Sequence, residues 1–261
     1  MYSAGRRRRH SHAGPGSETD MRLTVVGCSP AWPNPGGAQS GYLVHGDGTV
    51  LLDCGAGVLA KLRLRDSWPR VDSIVISHWH LDHWGDLVPW VWGSMFGLGR
   101  EAAKPELWLP PGGIELLGLF GERMGTPTMF WNAFELAEYV EGEPFKTRAG
   151  VTVTATEVPH YTIQTFAFRV TNGATTLAYS GDSAPSDTLV EVARDADLFV
   201  CEATLLSGDK DATPRGHLSA EEAIAAFDAS GAKRLLVTHR PQELDLPAGY
   251  ERAYDGLELD L

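Results

Sequence analysis

Residues 78–83 read His78-Trp79-His80-Leu81-Asp82-His83, three imidazoles and a carboxylate within six positions. Neutral imidazole nitrogen together with carboxylate oxygen suits a divalent ion such as zinc, iron or manganese. The segment follows the apolar run Ile74-Val75-Ile76. That places it in the loop at the C-terminal end of a strand, where the backbone can turn several side chains toward one point. The arrangement recurs along the chain. Leu177-Ala178-Tyr179-Ser180-Gly181 leads to Asp182, Leu198-Phe199-Val200-Cys201 to Glu202, and Leu235-Leu236-Val237-Thr238 to His239. His160 follows the alternating run 151–158 and a proline that stiffens the exit from it. One ion needs three or four ligands and an open position. Five histidines with Asp82 and Asp182 are too rich a set for that, and two ions sharing Asp182 and a water fit better. His45 stands apart from these segments and is read as structural.

The elements that must carry these groups follow from hydrophobic period and turn residues. Strands are expected at 22–27, 40–45, 49–53, 72–77 and 105–110, with helices near 56–65, from about 84, near 112–122 and near 130–139. Glu143-Pro144 and Gly150 mark a boundary between halves. Beyond it, strands at 151–158, 163–171, 175–180, 198–202 and 233–238 alternate with helices near 185–194 and 219–230. Ser219 is placed to cap the last helix. Two similar strand-then-helix halves predict a sandwich with its helices outside.

Composition narrows the function classes. With 261 residues, 43% of them hydrophobic, the chain can build a sizeable core. Gly, Pro or a charge interrupts every apolar run, so no membrane span is expected. Residues 1–20 hold Arg6 to Arg9 but little apolar content and are read as a disordered basic tail, with 21–261 as one folded domain and Met21 as a second candidate start. The folded part then carries 18 basic against 32 acidic residues, a net −14 that repels a polyanion and favours small substrates. Cys28, Cys54 and Cys201 form no spaced framework, which points to a reducing, cytoplasmic compartment and to buried thiols rather than nucleophiles.

The His-x-His-x-Asp-His run, the later histidine, the strand-end Asp182 and the final His239 together resemble the metallo-β-lactamase superfamily over residues 22–261. The resemblance implies a four-layer αββα sandwich. It implies His78, His80 and His160 around a first metal, Asp82, His83 and His239 around a second, and Asp182 bridging them, with zinc, manganese or iron as the ions. It also makes Asp53, in Leu51-Leu52-Asp53-Cys54-Gly55, a support of the histidine loop rather than a ligand. True β-lactamases have a Cys where Asp182 stands, and flavodiiron proteins a Glu where His80 stands, so neither activity is expected.

Two further segments, Cys201-Glu202-Ala203-Thr204 and Gly216-His217-Leu218-Ser219, resemble ribonuclease Z and related phosphodiesterases. There the histidine pairs with the glutamate and protonates the leaving oxygen, which would make His217 the acid, Glu202 its orienting partner and Asp82 a member of the catalytic set. Ribonuclease Z proper inserts a long arm for transfer RNA between the later histidine and the bridging aspartate. Here only 22 positions separate His160 from Asp182, and two expected strands fill them. Gly27-Cys28-Ser29-Pro30 and the ending Tyr254-Asp255-Gly256-Leu257-Glu258 also make the chain similar to small actinobacterial members, some of which act on cyclic nucleotides. The reading is therefore a dinuclear phosphodiesterase for small substrates such as 3′,5′-cyclic nucleotides. Transfer-RNA 3′ processing and hydrolysis of a carboxylic ester, lactone or thioester stand as alternatives. Trp90, Trp92, Met95, Phe96, Trp108, Phe130, Trp131 and Phe134 are expected in helix core, or else in the substrate pocket or a homodimer surface.

Overall fold

The computed structural model describes residues 21–261; the basic tail, 1–20, lies outside the described residues. The first half runs β1 (Arg22–Gly27), β2 (Gly41–His45), β3 (Thr49–Leu52), α1 (Val58–Arg63), β4 (Ser73–Val75), α2 (Leu81–Trp84), α3 (Leu87–Phe96), β5 (Glu106–Leu109), α4 (Gly113–Arg123), α5 (Met129–Ala133) and β6 (Glu135–Glu138). The second runs β7 (Phe145–Lys146), β8 (Thr152–Val158), β9 (Thr165–Thr171), β10 (Thr176–Tyr179), α6 (Asp187–Ala193), β11 (Leu198–Glu202), α7 (Ala220–Ser230), β12 (Leu235–Thr238), β13 (Glu251–Arg252) and β14 (Glu258–Asp260).

These strands make two seven-stranded sheets, in the orders β14-β1-β2-β3-β4-β5-β6 and β13-β12-β11-β10-β9-β8-β7. Each sheet changes character at one strand. The first is antiparallel up to β3 and parallel from β3 to β6; the second is antiparallel from β7 to β10 and parallel from β10 to β13. The halves therefore repeat one scheme, and the last strand, β14, crosses back to cover the edge of β1.

Alternation along the strands sorts side chains into three apolar layers. Val50, Leu52 and Val75 pack between the sheets against Val153, Phe166, Phe168, Leu177 and Tyr179. Leu51, Ile74 and Ile76, one position out of step, face α1, α3, α4 and α5. Phe199, Cys201, Leu235 and Val237 face α6 and α7. The result is the expected αββα sandwich. Ser219 caps α7 with a reciprocal capping box: its hydroxyl accepts from the Glu222 N–H while the Glu222 carboxylate accepts from the Ser219 N–H.

Two expectations are corrected. The segment 130–139 is not one helix but α5 followed by β6, because Glu135 to Glu138 pair in register with β5 at the open edge of the sheet. A polar edge strand has no clean alternation, and pairing overrode its helix-like composition. The helix expected from about 84 is two, with α2 starting at Leu81 and α3 at Leu87. Of the aromatics, Trp90, Phe130 and Phe134 are core, whereas Phe96 and Trp131 are exposed. Among the described residues no helix is long and apolar enough to cross a membrane. Cys28, Cys54 and Cys201 are buried and unbridged.

Phe168 is fully buried between the sheets. Phe168→Ala is expected to lower unfolding stability by about 3–5 kcal/mol, read as a lower urea midpoint with an unchanged slope.

Candidate metal centre

The parallel strands β3, β4, β10, β11 and β12 end at one rim of the sandwich, and their C-terminal ends deliver Asp53, His78, Asp182, Glu202 and His239 in turn. The turns there are tight. Asp53, Tyr161 and His239 have φ of 59°, 49° and 50°, a left-handed conformation uncommon outside glycine that clusters at functional sites. Gly55 and Gly181 permit close approach: a Cβ on Gly55 would lie 2.0 Å from the Asp82 carbonyl oxygen, and one on Gly181 2.8 Å from that of Phe166. The histidine loop also closes on itself, with the Trp84 indole N–H donating to the Trp79 carbonyl.

Two adjoining groups of donor atoms result, each with its atoms within 4.8 Å of one another: His78, His80, His160 and Asp182, and Asp82, His83, Asp182 and His239. Asp182 belongs to both. Its Oδ2 lies 3.7 Å from His78 Nε2 and 3.8 Å from His160 Nε2, and its Oδ1 lies 3.3 Å from His83 Nε2 and 3.6 Å from His239 Nε2. Asp82 Oδ2 is 3.1 Å from His239 Nε2. All seven residues named from the sequence thus come together.

Each of four imidazoles has its Nδ1 held by an outer partner. His83 Nδ1–H donates to Asp53 Oδ2 at 2.7 Å, and His160 Nδ1–H to the Gly216 carbonyl at 2.6 Å. The Ser77 hydroxyl donates to Asp53, so its oxygen accepts from His78 Nδ1–H at 3.0 Å. The Thr204 hydroxyl donates to Glu202 Oε2, so its oxygen accepts from His239 Nδ1–H at 2.8 Å. This assignment of protons, made from the hydrogen-bond network, leaves each Nε2 lone pair aimed at the cluster. His80 alone presents Nδ1, 3.0 Å from His160 Nε2.

The donor set fits a pair of cations. His78 Nε2, His83 Nε2 and Asp182 Oδ1 are buried without a hydrogen-bond partner, a costly state that an ion relieves. Burial lowers the pKa of His78, His80 and His160, keeping them in the neutral form that ligates. Burial opposes charge on Asp182 too, but His239 and His83 hold its carboxyl well below the usual range. On His83, burial is outweighed by Asp182, Asp53 and Asp82, which raise its pKa. The surplus anionic charge around that ring is what a cation would neutralise.

Beside the cluster, His217 Nδ1 lies 2.8 Å from Glu202 Oε1. Glu202 is fully buried and also accepts from the backbone N–H of Ser183 and Thr204 and from the Thr204 hydroxyl. Burial works against charge on His217, but this carboxylate lifts its pKa to about 9. Asp211 shapes the loop that carries it, accepting from the backbone N–H of Gly216 and His217 and from the Tyr161 hydroxyl. His45 bonds Thr24 within the first sheet, away from the cluster. Ser77, Thr204, Tyr179, Tyr161 and Asp211 escaped the sequence reading as site residues. Ser77, Tyr161, Tyr179 and Thr204 adjoin or lie within the motif segments and could have been found; nothing local marks Asp211. His80, Asp82, Asp182 and His217 open onto a cleft of about 950 Å³.

Residues 48–240 match the family model described as the beta-lactamase superfamily domain. The chain is 31% identical to the probable metallo-hydrolase YhfI of Bacillus subtilis, over 85% of this chain and 87% of that protein. The crystal structure of YhfI superposes with a TM-score of 0.78 at 25% identity, covering 92% of this chain and 99% of the other. The protein Rv1339 of Mycobacterium tuberculosis is 34% identical over 89% of this chain and 85% of its own. A ribonuclease Z of Mycobacterium bovis is 28% identical over 84% and 85%.

If the orphaned atoms are ligands, stripping cations by a chelator followed by dialysis lowers the unfolding temperature, and adding back zinc or manganese restores it. An unfolding temperature indifferent to both treatments would show that the cluster holds no ion.

Proposed function

The chain belongs to the metallo-β-lactamase superfamily, and on that premise we propose that this metallo-hydrolase is a phosphodiesterase for small substrates such as 3′,5′-cyclic nucleotides. In this reading His78, His80 and His160 would hold one divalent ion and Asp82, His83 and His239 the other, with Asp182 shared between the two groups. When bound, two such ions supply a water acidic enough to attack near neutral pH and neutralise charge on the phosphoryl oxygens.

The observation that carries the reading is the pair His217–Glu202. Glu202 accepts the Nδ1 proton of His217 and holds the ring where it lines the cleft beside Asp82 and Asp182. With a pKa of about 9 the imidazole keeps its Nε2 proton at neutral pH, ready for the departing oxygen. A ribose alkoxide is too basic to leave unprotonated, so a phosphodiester needs such an acid. A thioester, whose thiolate leaves readily, does not. Asp211 and Tyr161 keep the acid in register with the cluster, and the Tyr161 ring packs 5.5 Å from that of His217.

The ribonuclease Z relative makes RNA a second substrate to weigh. Among the described residues no Lys or Arg lines the cleft, and the segment from His160 to Asp182 is occupied by β9 and β10 with no room for an arm. Both observations favour a small diester over a polymer that needs contacts to flanking phosphates.

Turnover of the metal-loaded protein on bis-p-nitrophenyl phosphate, 3′,5′-cyclic AMP and a 3′-extended transfer RNA tests the proposal. Cleavage of the first two with the RNA intact is expected; cleavage of RNA alone, or of none of the three, overturns it. His217→Ala should retain bound metal yet lose about 10²–10⁴-fold in rate on cyclic AMP, and much less on the nitrophenolate ester. Equal losses on both would remove His217 from the role of acid.

A further inference from the structure

Besides the cluster residues, the cleft is walled by Ala31, Trp32, Leu81, Leu205, Leu206 and Leu244. Trp32 is 55% exposed, the most exposed tryptophan among the described residues. It is nevertheless held in place. It stands between Ala31 and Pro33, with Pro30 and Pro35 nearby, and the loop is tied at several points. Gln39 donates to the Ala31 carbonyl, the Asn34 N–H to the Ser29 hydroxyl, and the Ser29 N–H to the Ala38 carbonyl at 3.0 Å. The Asn34 side chain reaches across the rim, donating to the Arg240 carbonyl at 3.2 Å and accepting from the Gln242 N–H at 2.9 Å. The loop bearing Trp32 is thereby bolted to the segment that follows His239. The loop thus presents a large, half-exposed ring on the wall of the cleft that the cluster opens onto, where a flat ligand could cover it.

Charge defines what that ligand carries. Among the described residues no lysine or arginine lines the cleft, its one cationic side chain is His217 beside the cluster, and Glu243 lies on its wall. One phosphoryl group can be met by His217 and by ions in the cluster. A second, held away from them, would find no lysine or arginine and would share the cleft with a carboxylate.

We infer that the cleft selects phosphodiesters with a single negative charge and a flat, uncharged ring system that stacks on Trp32, making Trp32 the side chain that sets affinity. The inference rests on the phosphodiesterase reading and adds which part of the substrate is recognised. A nucleoside cyclic monophosphate has this chemistry; a dinucleotide with a terminal phosphate does not.

Two measurements test it. In turnover by the metal-loaded enzyme, Trp32→Ala should raise KM for 3′,5′-cyclic AMP roughly ten-fold, the scale of one base–aromatic stack, with kcat much less affected. Trp32→Phe should recover most of the loss. The effect should be far smaller on ethylene phosphate, a cyclic diester with no ring to stack, and the linker diester of ApA should be cleaved at least ten-fold more efficiently than that of pApA. Equal losses on cyclic AMP and ethylene phosphate, no loss on either, or parity of ApA and pApA overturns the inference. The second measurement needs no turnover: saturation-transfer NMR of adenosine with the zinc-loaded protein. Signal at the base protons H2 and H8 that disappears in Trp32→Ala is expected. If that signal is found while the wild type cleaves no phosphodiester, the activity reading fails and the stacking subsite stands. If it is absent from the wild type, the inference fails whatever the turnover.

Discussion

A single buried carboxylate, Asp53, holds the two sheets and the histidine loop in one frame. Its Oδ1 accepts from the Ser77 N–H, and its Oδ2 from the Ser77 hydroxyl, His83 Nδ1–H and the Tyr179 hydroxyl, each within 2.8 Å. Ser77 and His83 come from the first half; Tyr179 ends β10 in the second sheet. The side chain has no exposure to solvent, so its charge is compensated by these donors alone. Removing it would strand three hydroxyl or imidazole donors in the interior, a loss that spreads through contacts on both sheets. The positive φ at Asp53 is the backbone strain by which β3 turns its terminal side chain inward.

Glu202 plays the matching part in the second half. It ends β11 as Asp53 ends β3, and it is likewise saturated, by two backbone N–H groups, a threonine hydroxyl and an imidazole. Between them these carboxylates fix the proton positions of His78, His83, His217 and His239, two of them through an intervening hydroxyl. Acids in the site thus divide into two kinds. Asp53 and Glu202 face outward to protein donors and orient rings; Asp82 and Asp182 face inward, among the imidazole Nε2 atoms of the cluster. The repeated sheet topology explains the division: each half contributes parallel strands to the same rim, and each needs its own buried anion to pin what those strands deliver.

The legible part of the site is the part encoded within a few residues. Apolar runs ending in His, Asp or Glu reveal both the parallel strands and the groups they carry, because a strand buried on two faces reads as a continuous hydrophobic run. Ser219 announces its helix by local capping chemistry. Tyr179 and Asp53 are 126 positions apart, and Asp211 bonds Tyr161 across 50; no local pattern records such pairings. The short β6, β7 and β13 were missed for a related reason. Each is an edge strand stabilised by a neighbour rather than by its own alternation, and Glu135 to Glu138 carry a composition that suits a helix better. The aromatic-rich stretch after Trp84 was legible as core for Trp90 and Phe130, yet the ring that stands exposed in the cleft, Trp32, sits in a proline-rich loop whose pattern says only that the chain turns.

Electrostatics then sets an order of events. The chain has a net charge of −12, Asp82, Asp182 and Glu243 line the cleft, and among the described residues no lysine or arginine does. In the proposed reading a phosphate approaching this surface meets repulsion at long range, and its attraction on arrival would come from His217 and from divalent charge that the cluster would hold, where low dielectric would leave that charge weakly screened. Cation binding would then favour binding of an anionic substrate, and the same arrangement limits how much anion the cleft accepts. Enzymes that grip nucleic-acid chains distribute positive charge along the path of the backbone. Here no lysine or arginine among the described residues extends attraction beyond the cluster and His217, and the remaining wall offers apolar and aromatic surface, so in the proposed reading discrimination comes from the shape and polarity of what is attached to the phosphate.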